Sequence, residues 1–210
     1  MSDTGQTNPY RISRNRLETM VDGIFAFAMT LLVLGIEVPT IPPDEATFAV
    51  PAFIANLAPQ LIIFVIAFLV LAVFWLEHHR QFHHLRIVDP VVLWLNIAIL
   101  IFTVLIPFTT DLSGDYDGIQ IAVVLFHVNL LAIGTLFLVH WAYLTRNRSL
   151  CDEEFLPGEV STRIRILTIP PLCAVLGLAI SFLSPANSLY AYLLIPVLIG
   201  VVRYTGKGRA

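Results

Sequence analysis

Residues 16–35 read RLETMVDGIFAFAMTLLVLG, and this stretch indicates the fold class of the whole chain. Between Asp22 and Glu37 the chain carries no charge, and nearly every side chain there is apolar. A helix needs about 20 such residues to cross about 30 Å of hydrocarbon. No small-residue cleavage site follows before the next apolar run, as a removed signal peptide would require. We therefore predict a transmembrane helix that the mature protein keeps.

Five further apolar runs of similar length follow along the chain. Together with the first, the predicted spans cover residues 18–38, 52–77, 90–110, 118–144, 162–184 and 187–204. The sequence contains no recognisable internal repeat and no Gly-rich phosphate-binding loop. It thus predicts an all-α membrane protein in which residues 1–210 form one domain of six transmembrane helices. Pro170-Pro171 is expected to kink or break the fifth helix.

Lipid is the first partner that the composition indicates. Hydrophobic residues make up 57% of the chain and charged residues only 13%, whereas a soluble domain carries about 25% charged residues. So few charges cannot cover a globule in water, and the lipid bilayer must cover much of the surface. The net charge of −3 indicates no nucleic-acid partner, and no motif indicates a cofactor.

The basic residues all fall on one predicted side of the membrane. The 12 Lys and Arg side chains are Arg11, Arg14, Arg16, Arg80, Arg86, Arg146, Arg148, Arg163, Arg165, Arg203, Lys207 and Arg209. They precede the first span, follow the second, flank the loop between the fourth and fifth, and end the chain. Because cytoplasmic loops are enriched in Lys and Arg, we predict that both termini lie in the cytoplasm.

The loops on the opposite side carry acidic residues instead. These residues are Glu37, Asp44, Glu45, Asp111, Asp115 and Asp117. A negative rim on the outer face would raise the local concentration of cations there. The alternative is that these carboxylates only solvate the loop tips, and the sequence leaves both interpretations open.

Two features of the first helix invite a functional interpretation. Asp22 lies at the membrane entrance, where a carboxylate is costly unless it has a partner, so it either ties neighbouring helices together or contacts a permeating ion. Steps of three or four residues from Gly23 place Phe27, Thr30, Leu34 and Val38 on one face. By spacing alone, such a stripe is more typical of helix packing than of a functional surface.

A histidine cluster gives the competing chemical interpretation. His79 and His83 have the i, i+4 spacing of helical metal ligands, and membrane di-iron oxygenases use histidine pairs of this kind. Such enzymes need several histidine boxes, however, and the remaining histidines outside this cluster are isolated in the fourth span. We therefore expect neither a metal site nor an enzyme. Asn96, a single polar group within the third span, is expected to form an interhelical hydrogen bond.

Motifs along most of the chain resemble one known family. Arg16 is followed by Asp22-Gly23 and then by FAFAMTLLVL. The segment WLEHHR at 75–80, Asn96 in the third span and IPFT at 106–109 extend the similarity. Together these motifs resemble the prokaryotic TMEM175 potassium channels of the single-repeat, six-helix type.

The resemblance implies a homotetramer in which the first helix of each subunit lines a potassium-conducting, leak-type pore in the plasma membrane of a prokaryote. It implies a hydrophobic constriction at Phe27, a second apolar ring at Leu34 and a selectivity layer at Thr30. The chain departs from the family pattern in two places. Met20-Val21 replaces the usual Phe-Ser, and Phe27 replaces an Ile or Leu.

The resemblance also implies a polar network that fixes the pore helix. In this network Trp75 and His79 join Arg16 and Asp22 near the cytoplasmic end, and the imidazole would make the channel sensitive to pH. A secondary transporter of a small cation or solute is the alternative class. It would normally contain inverted repeats or helices broken near the midplane.

Overall fold

The computed structural model describes residues 13–152 and 157–207, which are almost wholly helical. The α-helices are α1 (Arg14–Leu31), α2 (Ala46–Asn56), α3 (Ala58–His83), α4 (Pro90–Asp115), α5 (Gln120–Arg146), α6 (Pro157–Ser181), α7 (Pro185–Ser188) and α8 (Leu194–Lys207). Short 3-10 helices cover Leu32–Gly35, Arg148–Leu150 and Leu189–Leu193. In the described ranges the only β-type pairing is the isolated bridge between Leu85 and Cys151.

Six helical segments of the described chain are long and apolar enough to span a bilayer. They are Arg14–Gly35, Ala58–His83, Pro90–Asp115, Gln120–Arg146, Val160–Ser181 and Pro185–Thr205. The prediction of an all-α protein with six transmembrane helices is confirmed. The orientation of the termini is not fixed by these segments and stays a prediction.

The second span begins later than the sequence predicted. Residues 52–56 belong to α2, an exposed helix with Pro51 inside it, and the spanning helix α3 begins only at Ala58. Pro59 lies in the first turn of α3, where a missing backbone N–H costs nothing. Apolar composition continues through both helices, so hydropathy alone does not reveal the boundary between them.

The first span ends earlier than predicted. α1 ends at Leu31, a 3-10 helix continues to Gly35, and Ile36 is already extended. Val38, which the sequence placed at the end of the span, therefore lies beyond the helix.

Pro170-Pro171 was expected to kink or break the fifth span; it does not break it, because α6 runs without interruption from Pro157 to Ser181, and the kink stays a prediction. Gly134 of α5 faces this point, and a Cβ atom added there would lie 2.8 Å from Pro171 Cδ. The absent side chain of Gly134 thus lets the proline ring pack closely against α5. Neighbouring helices are what make proline tolerable within a membrane span.

The basic segments around Arg14, Arg86, Arg148 and Arg163 meet at one end of the bundle, which we call the Arg14 end. Arg14 Nη1 donates to Leu85 O over 3.1 Å, and the backbone N–H of Arg86 donates to Leu150 O over 2.8 Å. Arg163 of α6 lies 3.7 Å from Glu77 of α3. Arg11 and Arg209 lie outside the described residues. This arrangement agrees with the alternation of basic segments along the sequence.

Candidate functional site

α1 has one buried face and one exposed face. Its buried residues pack against α3 and α4 and are Leu17, Val21, Phe25 and Ala28, and Leu32 of the following 3-10 helix is buried as well. The opposite face exposes Gly23, Phe27, Thr30 and Leu34, with Phe27 63% and Leu34 72% exposed. At about 100° per residue, Gly23, Phe27 and Thr30 lie within an arc of roughly 60° on α1, and Leu34 follows in the 3-10 helix. The stripe that the sequence singled out therefore points away from its own bundle.

Thr30 combines this exposure with a fixed hydroxyl geometry. Its Oγ1 donates to the backbone carbonyl of Phe27 over 2.8 Å, so the hydroxyl proton is used within the helix. The oxygen lone pairs remain available on the exposed face. A threonine held in this way can accept a hydrogen bond or contact a cation, but it has no proton left to donate.

Asp22 is tied to α3 by an indole. Trp75 Nε1 donates to Asp22 Oδ1 over 2.9 Å, and the Trp75 ring stacks on the ring of His79. Asp22 remains exposed beside this contact, whereas Trp75 is half-buried. The structure therefore brings together three of the predicted network residues, Asp22, Trp75 and His79, on neighbouring turns of α1 and α3.

Glu18 completes this cluster, although the sequence analysis did not single it out. His79 Nδ1 lies 3.0 Å from Glu18 Oε1, and Arg14 Nε lies 3.8 Å from Glu18 Oε2. Positions 14, 18 and 22 are spaced by four residues and so share one face of α1. This i, i+4 series of Arg, Glu and Asp is the sequence signal that could have identified Glu18.

Arg16 does not join the cluster, contrary to the expectation. It is exposed, and within the described chain its side chain forms no hydrogen bond or ion pair. The reason is helical geometry, because position 16 is rotated by about 200° from position 14 and by about 120° from position 22. Arg16 instead lies on the same face as Gly23 and Phe27.

Asn96 belongs to a separate, buried contact. His78 Nε2 donates to Asn96 Oδ1 over 2.7 Å, and the His78 ring stacks on Phe82. His78 thus points into the bundle, whereas its neighbour His79 points to Glu18. Within residues 13–152 and 157–207, no group of three or more His, Cys, Asp or Glu side chains is arranged to hold a metal ion.

The two histidines of α5 are also engaged in interhelical hydrogen bonds. His127 pairs with Tyr192 over 2.7 Å and with Ser188 over 2.9 Å, while His140 pairs with Gln81 of α3. These partners are distant in sequence, and no local spacing could have revealed them. Both histidines join helices of the bundle rather than forming a reactive site.

The fold and the site define a class: a helical membrane protein whose first helix presents an unpartnered stripe of apolar and hydroxyl side chains. A family model described as the endosomal/lysosomal potassium channel TMEM175 matches residues 16–107. A Streptomyces collinus protein named as a potassium channel is 29% identical over 191 residues, covering 88% of this chain and 90% of that protein.

The comparison with solved structures shows the same similarity as the comparison of sequences. The crystal structure of a TMEM175 homolog from Chamaesiphon minutus, described as a lysosomal potassium-selective channel homolog, matches with a TM-score of 0.75 and 26% identity. The match covers 92% of this chain and 97% of that one. The resemblance to the TMEM175 channels that the sequence predicted is confirmed by the family model, the bacterial relatives and this crystal structure.

The vertebrate relatives are longer than this chain. A Gallus gallus protein named as an endosomal/lysosomal proton channel TMEM175 is 24% identical over 191 residues, which are 88% of this chain but 37% of that protein. This chain therefore matches little more than a third of the protein that carries this name.

The Trp75–Asp22 contact predicts a stability difference between two tryptophan variants. Trp75→Phe keeps the ring but removes the N–H donor, and we expect a loss of about 1–2 kcal/mol, or a Tm lower by roughly 2–8 °C. Trp94→Phe is the control, because Trp94 is 68% exposed and its replacement should shift Tm by less than about 2 °C. Thermal unfolding in detergent measures both, and an equal loss in the two variants would contradict the assignment.

Proposed function

We propose that the chain is a potassium-conducting, leak-type cation channel in which α1 helices from four identical chains line a central pore. The observation that carries this proposal is the exposed stripe of Gly23, Phe27, Thr30 and Leu34 on a helix whose other face is buried. The potassium-channel names of the bacterial relatives support the choice of ion.

The polar groups on the exposed side of α1 favour a pore over lipid as its neighbour. Asp22 lies within the segment Arg14–Gly35 and is exposed, as is Thr30 deeper in the same span. A carboxylate facing hydrocarbon is costly, and intramembrane charges usually face a bundle interior or a water-filled cavity. Around a shared axis these groups would meet water and ions instead.

In this proposal Phe27 and Leu34 form two apolar rings that control the passage of ions. A narrow ring of apolar side chains excludes water, and an ion that has lost its hydration shell gains nothing from a phenyl or isobutyl group. Conduction therefore requires the rings to widen enough for a partly hydrated ion. Four phenylalanines are bulky, so the Phe27 ring would be the tighter constriction.

Thr30 supplies the oxygen layer between the two rings. Its hydroxyl proton is bound to Phe27 O, so four Thr30 oxygens around an axis would all direct lone pairs inward. A few neutral oxygens replace the hydration of potassium more readily than that of sodium, which holds its water more strongly. We infer modest selectivity, because so few ligands are offered.

In this proposal, the polar cluster at the Arg14 end fixes the rotation of the pore-lining helix α1 about its own axis. Trp75 and His79 of α3 contact Asp22 and Glu18, which lie on the side of α1 between its buried face and the stripe. The buried neighbours and these polar contacts together restrict rotation of α1.

The proposal also includes cytoplasmic termini and a location in the plasma membrane of a prokaryote, consistent with the one-sided distribution of Lys and Arg.

Flux from liposomes tests the function and separates it from the alternatives. Purified protein should release K+ down its gradient without a coupled ion, release Na+ more slowly, and elute in detergent with the mass of four chains. Flux that requires a second ion would indicate the secondary transporter. The assay should also measure proton flux, because the Gallus gallus relative is named as a proton channel. Proton flux without K+ flux would refute the proposal.

Thr30→Ala should lower the K+ to Na+ flux ratio by roughly two- to tenfold while leaving a conducting protein, because one oxygen per chain is lost. Thr168→Ala is the matched control, since the Thr168 hydroxyl also donates within its own helix but lies on α6. An unchanged K+ to Na+ flux ratio in Thr30→Ala would contradict the proposed role of Thr30 in selectivity.

Phe27→Ala should raise K+ flux severalfold, because the shortened side chain widens the constriction and lets water enter. Phe182→Ala serves as the control, since Phe182 is 72% exposed and lies just beyond the end of α6. The comparison uses flux per reconstituted protein. Reduced flux in Phe27→Ala would place the constriction elsewhere.

A further inference from the structure

A narrow apolar cavity lies between α3 and the last membrane-spanning segment. Its volume is about 190 Å³. It is bounded on one side by α3, from Ile66 to Leu76, and on the other by the 3-10 helix Leu189–Leu193 and the first turn of α8. An engineered cavity of about 150 Å³ lined by aliphatic and aromatic side chains stays dry and binds benzene. The space beside α3 is therefore large enough for a hydrocarbon ligand.

Apolar side chains form the walls of this cavity. Among the described residues that line it, only Tyr192 has a polar side chain, and its hydroxyl is engaged elsewhere. This hydroxyl pairs with His127 Nδ1 over 2.7 Å, and His127 Nε2 pairs with Ser188 over 2.9 Å. A buried water needs about two to four polar partners. Water is therefore a poor occupant of this cavity, whereas an apolar ligand gives up no hydrogen bond by entering it.

The depth of the cavity along α3 indicates what surrounds it. Ile66 and Leu76 lie about 12 and about 10 Å from the two ends of α3, at about 1.5 Å per residue. This helix is the segment Ala58–His83, which is long and apolar enough to span a bilayer. The cavity therefore lies near the centre of the hydrocarbon layer, which is filled by acyl chains and lies far from the lipid headgroups.

The cavity opens on the outer surface of the bundle, away from α1. Three of the residues that line it are between 41% and 47% exposed, namely Leu69, Leu76 and Leu193. Trp75, which contacts Asp22 of α1, is rotated by about 160° around α3 from the lining residue Val73. The cavity and α1 therefore lie on opposite sides of α3, and the cavity is separate from the stripe on α1.

The dimensions of the cavity favour a flexible chain over a helix as its occupant. The volume of 190 Å³ extends along about 15 Å of α3, so the mean cross-section is about 13 Å². A hydrocarbon chain is only about 4 Å wide and fits this cross-section. An α-helix with its side chains is about 10 Å across and does not.

We propose that this cavity binds one acyl chain of a membrane phospholipid per protein chain. The terminal part of the acyl chain lies between α3 and the 3-10 helix Leu189–Leu193, while the headgroup stays at the membrane surface. α3 meets the last span mainly at this 3-10 helix, so the lipid fills the gap that remains between α3 and α8. A lipid can occupy this gap whether or not the chain conducts ions.

Photocrosslinking of the full chain in liposomes tests this site. The liposomes are phosphatidylcholine with a small fraction of a phosphatidylcholine that carries a diazirine near the end of one acyl chain. After irradiation, peptide mass spectrometry should find adducts on residues 66–76 and 192–196, and their yield should saturate as the diazirine lipid increases, because a site fills. A diazirine placed next to the glycerol ester should leave these residues unlabelled, since they lie near the bilayer centre.

The exposed surface of α6 shows how contact with bulk lipid behaves in the same sample. Leu172 and Val175 are 64% and 49% exposed and do not line the cavity. Their adducts should increase in proportion to the diazirine lipid, without saturation. The difference between the two dependences separates a binding site from ordinary contact with the bilayer.

A variant that fills the cavity should exclude the lipid. Ala72→Leu enlarges a lining side chain and should lower the saturable adduct yield on residues 192–196 by roughly three- to tenfold. Ala179→Leu is the matched control, because Ala179 is exposed on α6 and lies outside the cavity. In this control the yield should change by less than about twofold.

Three outcomes contradict the site. Adducts on residues 66–76 and 192–196 that increase without saturation, as on α6, would show contact with bulk lipid only. A saturable yield that is unchanged in Ala72→Leu would place the bound acyl chain elsewhere. Residues that stay unlabelled with either diazirine lipid would show that protein, such as a second copy of the chain, covers the opening. If Ala72→Leu does not fold, the saturation and the comparison of the two diazirine positions in the wild-type chain still decide.

Discussion

The rotation of α1 about its own axis is the constraint on which the candidate function depends. Leu17, Val21, Phe25, Ala28 and Leu32 fill one face and hold it against α3 and α4. Once this face is buried, helical geometry leaves the positions of Gly23, Phe27 and Thr30 pointing outward. The polar contacts of Glu18 and Asp22 flank the buried face and oppose any turning of the helix. The pore proposal needs no rearrangement within the chain.

The sequence predicted the architecture well because a membrane restricts the possible structures so strongly. Backbone polar groups in hydrocarbon must be satisfied within helices, so long apolar runs translate directly into spans. The fourth, fifth and sixth spans begin and end within about three residues of their expected positions, whereas the boundary between α2 and α3 was missed. Hydropathy gives no signal there, since both helices are apolar and only Leu57 separates them.

Partners of polar side chains were harder to predict than spans. The sequence suggested that Asp22 needs a partner and that Asn96 bonds to another helix, and the contacts with Trp75 and His78 agree with both expectations. The bond between His127 and Tyr192 joins residues 65 positions apart, and no spacing rule reaches so far. Arg16 was misplaced because the family pattern gave its residue type but not its direction on the helix.

The last residue of the stripe, Leu34, lies in the 3-10 turn Leu32–Gly35 rather than in α1 itself. A 3-10 helix rises about 2.0 Å per residue with three residues per turn, against about 1.5 Å and 3.6 in an α-helix. Rewinding these four residues would shorten the segment by about 2 Å and swing Leu34 by several tens of degrees. In the proposed pore, such rewinding would change the width of the Leu34 ring while the buried face of α1 stays in place.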